Sequence, residues 1–148
     1  MKARAKRKRR RRGVDVFISH ASCDEWVARQ IARRLEEFGV RIFLSETDIE
    51  LGDEDFEERL REALEQCTEL VVLLTPEALE RRYVWTEIGA AWGARKRVSG
   101  ILYRITVDEL RRAGGVPVML LKSNLVDINS GGDRFIAQLG KRLGPRRF

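Results

Sequence analysis

A single carboxylate in this chain, Glu87, stands in a sequence setting where it could take part in chemistry. It lies in residues 83–92, which have helical spacing, and Tyr83 precedes it by one helical turn. A carboxylate among aromatic and small residues is costly to bury without partners, so Glu87 is predicted to border a cleft or to serve a specific task. The alternative is a solvated helix carboxylate paired with a nearby arginine. The same helix carries an apolar stripe formed by Val84, Ile88 and Ala91.

Residues 70–74, before this helix, form the apolar run that best predicts a buried strand. The run is short, contains the branched Val71 and Val72, and is closed by Thr75-Pro76. It is the expected centre of a sheet. Trp85 and Trp92 are predicted to pack into the core with Ile88. The small residues predicted to leave room beside Glu87 are Gly89, Ala90 and Ala91.

A second group of polar residues follows residues 14–19, a compact apolar run that predicts the first strand. Ser22 and Glu25 have the spacing of a capping box, so a helix is predicted to start at Ser22 and to stop at Gly39. The N-terminus of such a helix offers free amides and a positive dipole to a phosphate. A cap that only satisfies its own helix is the alternative.

Strands and helices alternate along the whole chain. Further strands are predicted at 40–44 and 98–103, with one broken or two short strands at 117–121 and 125–128, and further helices at 56–67, 106–114 and 135–143. About five alternations call for a parallel sheet with helices on both faces. Ligands bind such sheets beyond the carboxyl ends of the strands, where the strand order reverses. With the order 2-1-3-4-5, the loop after the first strand and Glu87 would face one crevice, and the loop 45–53 would overhang it.

Composition predicts one domain with a charged extension. The chain has 148 residues, and nine of its 29 lysines and arginines precede Asp15. The rest of the chain has 20 basic and 23 acidic residues, so it is mildly acidic. Residues 1–13 are predicted to be a disordered basic tail and residues 14–144 the folded domain. The positive charge of the tail would allow it to bind nucleic acid or an anionic membrane surface, and a solvated extension without a partner is the alternative.

The cysteines and the hydropathy favour a cytoplasmic protein. Cys23 and Cys67 suit a reducing compartment, and their spacing indicates no metal site. The longest apolar run is far below a membrane span, and the basic tail lacks the apolar segment of a secretory signal.

Three segments resemble those of Toll/interleukin-1 receptor (TIR) domains, particularly bacterial ones. Residues 15–21, with the sequence DVFISHA, resemble the first box of the family; residues 48–53 resemble the loop after its second strand. Residues 83–91 resemble its segment with an aromatic residue four before a glutamate. The resemblance extends from Val14 to Leu143 and implies a flavodoxin-like doubly wound sheet. Tyr83 stands where the family usually has tryptophan, and Ser45 where an acid is common.

The resemblance also implies a chemistry. In catalytic TIR domains the glutamate matching Glu87 is essential for cleaving NAD at the nicotinamide–ribose bond, which makes Glu87 the implied catalytic residue and NAD the substrate, with no cofactor or metal. His20 is expected either to line the cleft or to pack within its loop. Ser22 is expected either to contact the pyrophosphate or to cap its helix. Asp48 is expected to contact the nucleotide or a neighbouring protomer, or to lie in a solvated loop. The implied substrate-binding residues are Ser19, His20, Ala21, Ser22, Ser45, Asp48, Ile49 and Tyr83.

Three functions compete. The first is an NAD glycohydrolase of bacterial immune or stress signalling, which is activated by self-assembly and yields nicotinamide and ADP-ribose or a cyclic isomer. The second is a non-catalytic module that binds other TIR domains. The third is a relative that processes deoxyribosides. The retained Glu87 favours the first, with other TIR domains and a separate sensor or effector protein as expected partners.

Overall fold

The computed structural model describes residues 13–44, 54–114, 116, 118–122 and 124–145. Its strands are β1 (Val16–Ser19), β2 (Ile42–Leu44), β3 (Glu69–Leu74), β4 (Arg97–Leu102) and β5 (Asn124–Asp127). Its helices are α1 (Glu25–Glu36), α2 (Glu54–Gln66), α3 (Arg82–Gly93), α4 (Val107–Arg112), α5 (Val118–Leu121) and α6 (Gly132–Leu143). The predictions for residues 1–12 and for the loop 45–53 lie outside the described residues.

The strands form one sheet in the order β2-β1-β3-β4-β5, and every neighbouring pair is parallel. The predicted fold class and strand order are thereby confirmed. All six residues of β3 are buried, as expected of a central strand covered on both faces. Strand order reverses between β1 and β3, where Ser19 pairs with Val72.

Two apolar layers cover the sheet. One contains Phe17 of β1 and the inward faces of α2, α3, α4 and α5, including Val84, Ile88 and Ala91. The other contains Val16 and Ile18 with the inward faces of α1 and α6. Alternate residues of β1 therefore point into opposite layers, which is why its sequence reads as a continuous apolar run.

Two local predictions were wrong. Ser22–Asp24 forms a 3-10 turn, α1 begins only at Glu25, and neither segment has a side-chain cap. The predicted capping box at Ser22 is therefore absent, because Ser22 lies inside the turn. Val118–Leu121 is a helical turn and not a strand, with Leu120 fully buried in the first layer. A run of four apolar residues fits a buried turn as well as a strand.

The helix predicted at 106–114 is present as α4, and it begins with a capping box. Thr106 accepts a hydrogen bond from the backbone N–H of Glu109, and the Glu109 carboxylate accepts one from the backbone N–H of Thr106. This reciprocal pair satisfies two amides that the helix start would otherwise leave open.

Thr106→Ala is expected to lower the free energy of unfolding by about 1 kcal/mol, because it removes the acceptor for the Glu109 amide. Urea denaturation measures the change, with Thr106→Ser as the control that keeps the hydroxyl. Equal losses in both variants would contradict the role of the cap.

A partly buried ion pair lies at the amino end of β3. Glu69 is 3% exposed, and the guanidinium of Arg142 on α6 donates to both of its carboxylate oxygens over 2.7 to 3.0 Å. Because β3 is parallel to its neighbours, this pair is at the end of the sheet opposite to the crevice between β1 and β3.

Candidate active site

The candidate site lies beyond the carboxyl ends of β1 and β3, at the point where strand order reverses. The first wall is the chain from Ser19 to Asp24, which leads from β1 into α1. The second wall is the chain from Thr75 to Arg81 with the first two turns of α3, which carry Tyr83 and Glu87. Open α/β sheets place ligands at such a point because adjacent loops there run to opposite faces and part.

Glu87 is buried in this position, with 3% of its surface exposed. The hydroxyl of Ser19, the last residue of β1, donates a hydrogen bond of 2.5 Å to Glu87 Oε1. The bond joins the two walls across 68 positions of sequence. A carboxylate held by a hydroxyl in a site shielded from bulk water interacts strongly with any positive charge that develops beside it.

Tyr83 stands one turn before Glu87 and makes a second bond between the walls. Its phenol donates to the backbone carbonyl of His20 over 3.0 Å. Burial raises the pKa of Tyr83, and the negative charge of Glu87 raises it further. Tyr83 therefore stabilises the fold below the ordinary pKa of a phenol, and this contribution is lost as pH rises through its folded-state pKa.

A substitution at Glu87 tests this electrostatic link. In Glu87→Gln, the pKa of Tyr83 is expected to fall but to stay above its ordinary value, because burial, the larger cause, remains. Phenolate absorbance against pH measures it, with Tyr83→Phe identifying the signal of the other tyrosine, Tyr103. A pKa of Tyr83 that does not change would contradict the proximity of the two groups.

Sequence reasoning missed one polar group that joins the two walls. Asp24, which is 4% exposed, accepts a hydrogen bond of 2.6 Å from the Thr75 hydroxyl and one of 3.1 Å from Arg104. In the sequence, Asp24 lies between Ser22 and Glu25 of the predicted capping box, and Thr75 closes the predicted strand at 70–74. The available signal was that both polar residues follow closely on strands that end at the same edge of the sheet.

The acidic residues at this place, Asp24 and Glu77, do not form a free cation site with Cys23. Cys23, Asp24 and Glu77 have ligand atoms within 4.8 Å of one another, but Arg104 bonds to both carboxylates and balances their charge. Arg104 also holds the pKa of Glu77 below its ordinary value through a hydrogen bond. Desolvation, with the charges of Asp24 and Glu77, raises the pKa of the Cys23 thiol, which disfavours the nucleophilic thiolate.

The structure brings five of the nine predicted site residues to one place and exposes a sixth beside them. Ser19 and Glu87 are directly bonded, His20 and Ala21 are buried in the first wall, and Tyr83 bonds to that wall. Ser22 is exposed at the start of the 3-10 turn. The remaining three lie outside the described residues: Ser45, Asp48 and Ile49.

Two predictions about the surroundings of Glu87 were wrong. Gly89 and Ala90 are exposed, so they do not leave room beside the carboxylate, and only Ala91 is buried. Trp92 is 58% exposed and not part of the core. Trp85 does pack against the first layer, and its indole N–H donates to the carbonyl of Leu79.

The comparison with protein families decides the classification. A family model described as TIR domain matches residues 16–143. The chain belongs to the TIR domain family. This TIR domain is 33% identical over 98 residues to the "Probable 2' cyclic ADP-D-ribose synthase BdTIR" of Brachypodium distachyon, a match that covers 65% of this chain and 43% of that protein. The match to this TIR domain therefore spans less than half the length of that relative.

Solved structures support the fold. The TIR domain of the Toll-related receptor TRR-2 from Hydra magnipapillata is similar with a TM-score of 0.64 and 23% identity, covering 88% of this chain and 98% of that chain. The TIR domains of the activated Roq1 resistosome, which directly recognises the pathogen effector XopQ, give a TM-score of 0.66 and 15% identity, covering 88% and 99%. Among the described residues of this TIR domain, no helix is long and apolar enough to cross a bilayer.

Proposed function

We propose that this TIR domain cleaves NAD at the nicotinamide–ribosyl bond, through Glu87. The observation that carries the proposal is the buried carboxylate bonded to Ser19 at the point where strand order reverses. A buried carboxylate in a ligand-binding crevice is a functional-site candidate, because burying it costs stability that a purely structural residue would save.

One carboxylate is sufficient for cleavage of the nicotinamide–ribosyl bond. The bond between ribose C1′ and the nicotinamide nitrogen breaks with its electron pair moving to the nitrogen, which neutralises the pyridinium. Because nicotinamide is already cationic in NAD, its departure needs no general acid, unlike that of an ordinary glycosidic leaving group. Glu87 would stabilise the ribosyl cation or hold the ribose hydroxyls. Water then bonds to C1′ and releases a proton, which gives ADP-ribose, or an adenine nitrogen closes a cyclic isomer.

The other predicted residues are proposed to bind the nucleotide without a metal or cofactor. Ser19, His20, Ala21 and Ser22 belong to the first wall, whose amides and hydroxyls suit a pyrophosphate. Tyr83 would restrict water beside Glu87. Ser45, Asp48 and Ile49 complete the proposed contacts from the loop after β2.

The known relatives support this reaction class and suggest how it is controlled. The Brachypodium relative is named as a probable synthase of a cyclic ADP-ribose, a product of the same bond cleavage. The Roq1 TIR domains belong to an activated assembly. We extend the proposal to activation by self-assembly, with a separate sensor or effector protein, in bacterial immune or stress signalling.

Product analysis tests the proposal. Purified protein is incubated with NAD at increasing protein concentration, with and without a crowding agent, and the products are separated by chromatography. Nicotinamide with ADP-ribose or a cyclic isomer is expected, at a specific activity that rises with protein concentration. Ordered assemblies that leave NAD intact would instead favour the non-catalytic interaction module.

A further inference from the structure

We propose that Asp24, Thr75 and Arg104 form a polar latch that holds the two walls of the crevice in register, and that all three are positioning residues for the reaction. The inference rests on the proposed function, since the reaction that the latch serves is NAD cleavage at Glu87. None of the three belongs to the predicted set of catalytic and substrate-binding residues.

The centre of the latch is the carboxylate of Asp24, which joins the first wall to the second. Its Oδ2 accepts a hydrogen bond of 2.6 Å from Thr75 Oγ1, across 51 positions of sequence. Thr75 Oγ1 in turn accepts a bond of 3.0 Å from the backbone N–H of Ala78. One threonine hydroxyl therefore fixes Asp24 and also shapes the turn that leads into α3.

Arg104 ties a third loop to the same carboxylate. It follows β4 and adopts a left-handed backbone conformation with φ of 61°, which is uncommon for a residue other than glycine. Its Nη2 donates to Asp24 Oδ1 over 3.1 Å and to Glu77 Oε1 over 2.9 Å, and its guanidinium lies 5.0 Å from the ring centre of Tyr103. The surrounding contacts thus hold Arg104 in a conformation that would otherwise be unfavourable.

The latch acts on the same two chain segments that carry the reacting groups. Asp24 follows Ser19 by five residues, and Thr75 precedes Arg82, the first residue of α3, by seven. The Ser19–Glu87 bond spans the walls, and the latch joins them again at Asp24, the residue before α1. A displacement of about 1 Å in a reacting group can reduce turnover about a hundredfold, so small movements of either wall matter for catalysis.

The Glu69–Arg142 pair provides a matched control at the other end of the sheet. Glu69 and Asp24 are 3% and 4% exposed, and each is bonded to an arginine that is partly open to solvent. Removing one partner of either pair should reduce stability for the same physical reason. Only the loss of the Asp24 pair should change the crevice.

The experiment compares Thr75→Val, Thr75→Ser, Asp24→Asn and Glu69→Gln by kcat and KM for nicotinamide release, by urea denaturation and by hydrogen exchange. Thr75→Val and Asp24→Asn are expected to reduce kcat about 10- to 100-fold, with KM changing less. Thr75→Ser keeps the hydroxyl and should restore most of kcat. Glu69→Gln should lose stability and keep kcat. Hydrogen exchange should rise at residues 19–25 and 76–87 in Asp24→Asn but not in Glu69→Gln.

Two results would overturn the inference. One is a loss of kcat in Asp24→Asn that is no greater than in Glu69→Gln at equal loss of stability, and the other is unchanged exchange in both walls. Absence of nicotinamide release from the wild type would overturn the proposed function, and with it the catalytic purpose of the latch. Hydrogen exchange would still decide in that case whether the latch holds the walls.

Discussion

Glu87→Gln is expected to reduce kcat for nicotinamide release by about 100- to 1,000-fold. The amide keeps the size of the side chain and can still accept a hydrogen bond from Ser19, but it carries no charge to stabilise a ribosyl cation. Losing one preorganised electrostatic contact in a water-shielded site typically costs a factor of this size. KM should change less, because the charge matters most when the cation forms.

The control for this prediction is Glu62→Gln, which makes the same chemical change at an exposed position of α2. It should keep the activity of the wild type. Circular dichroism and urea denaturation show whether both variants are folded. A folded Glu87→Gln variant with the turnover of the wild type would show that the carboxylate takes no part in the reaction.

Phe17→Ala is expected to lower the free energy of unfolding by about 3–5 kcal/mol. Phe17 is fully buried in β1, two residues before Ser19, and its ring stacks on that of Phe43 with 5.2 Å between ring centres. Truncation would leave a cavity between the sheet and the first apolar layer. Because a domain of this kind is stable by only about 5–15 kcal/mol, the loss is a large share of the total.

Urea denaturation measures this loss, and Phe17→Leu is the control because it refills most of the volume. We expect Phe17→Leu to cost clearly less than Phe17→Ala. Equal losses in the two variants would contradict a role based on packing volume and would point to the loss of the aromatic contact with Phe43.

The layered fold could be predicted because β1 and β3, at the centre of the sheet, have unambiguous patterns. β3 is a short branched run that is buried along its whole length, and β1 is apolar on both faces. Such strands fit only a parallel sheet covered on both sides, and the alternating helices supply the cover. The cap at Thr106 could be predicted for a different reason, since both of its bonds are local in sequence.

The failures have a common cause, which is that tertiary contacts decided between local alternatives. Ser22 and Glu25 have the spacing of a capping box, yet the chain uses Asp24 to bond Thr75 and Arg104 and forms a 3-10 turn. Trp92 has a large apolar side chain of the kind expected in a core, but it lies exposed on the outer face of α3. Local spacing carries no information about which neighbour a residue meets.

The candidate site was predictable in part. The helical spacing placed Glu87 near the sheet, and the topological rule placed the loop after β1 opposite to it. The direct bond from Ser19 and the bond from Tyr83 to the His20 carbonyl depend on how far α3 approaches β1. Only packing of the whole domain sets that distance.

Catalysis through Glu87 is tested most directly by the initial rate of nicotinamide release from NAD by wild type and Glu87→Gln, assayed side by side at matched concentration under assembly-promoting conditions. The wild type is expected to form one nicotinamide per NAD consumed, and the folded variant to do so at a rate at least about 100-fold lower. Equal rates in the two proteins, or no release by either, would contradict catalysis through Glu87.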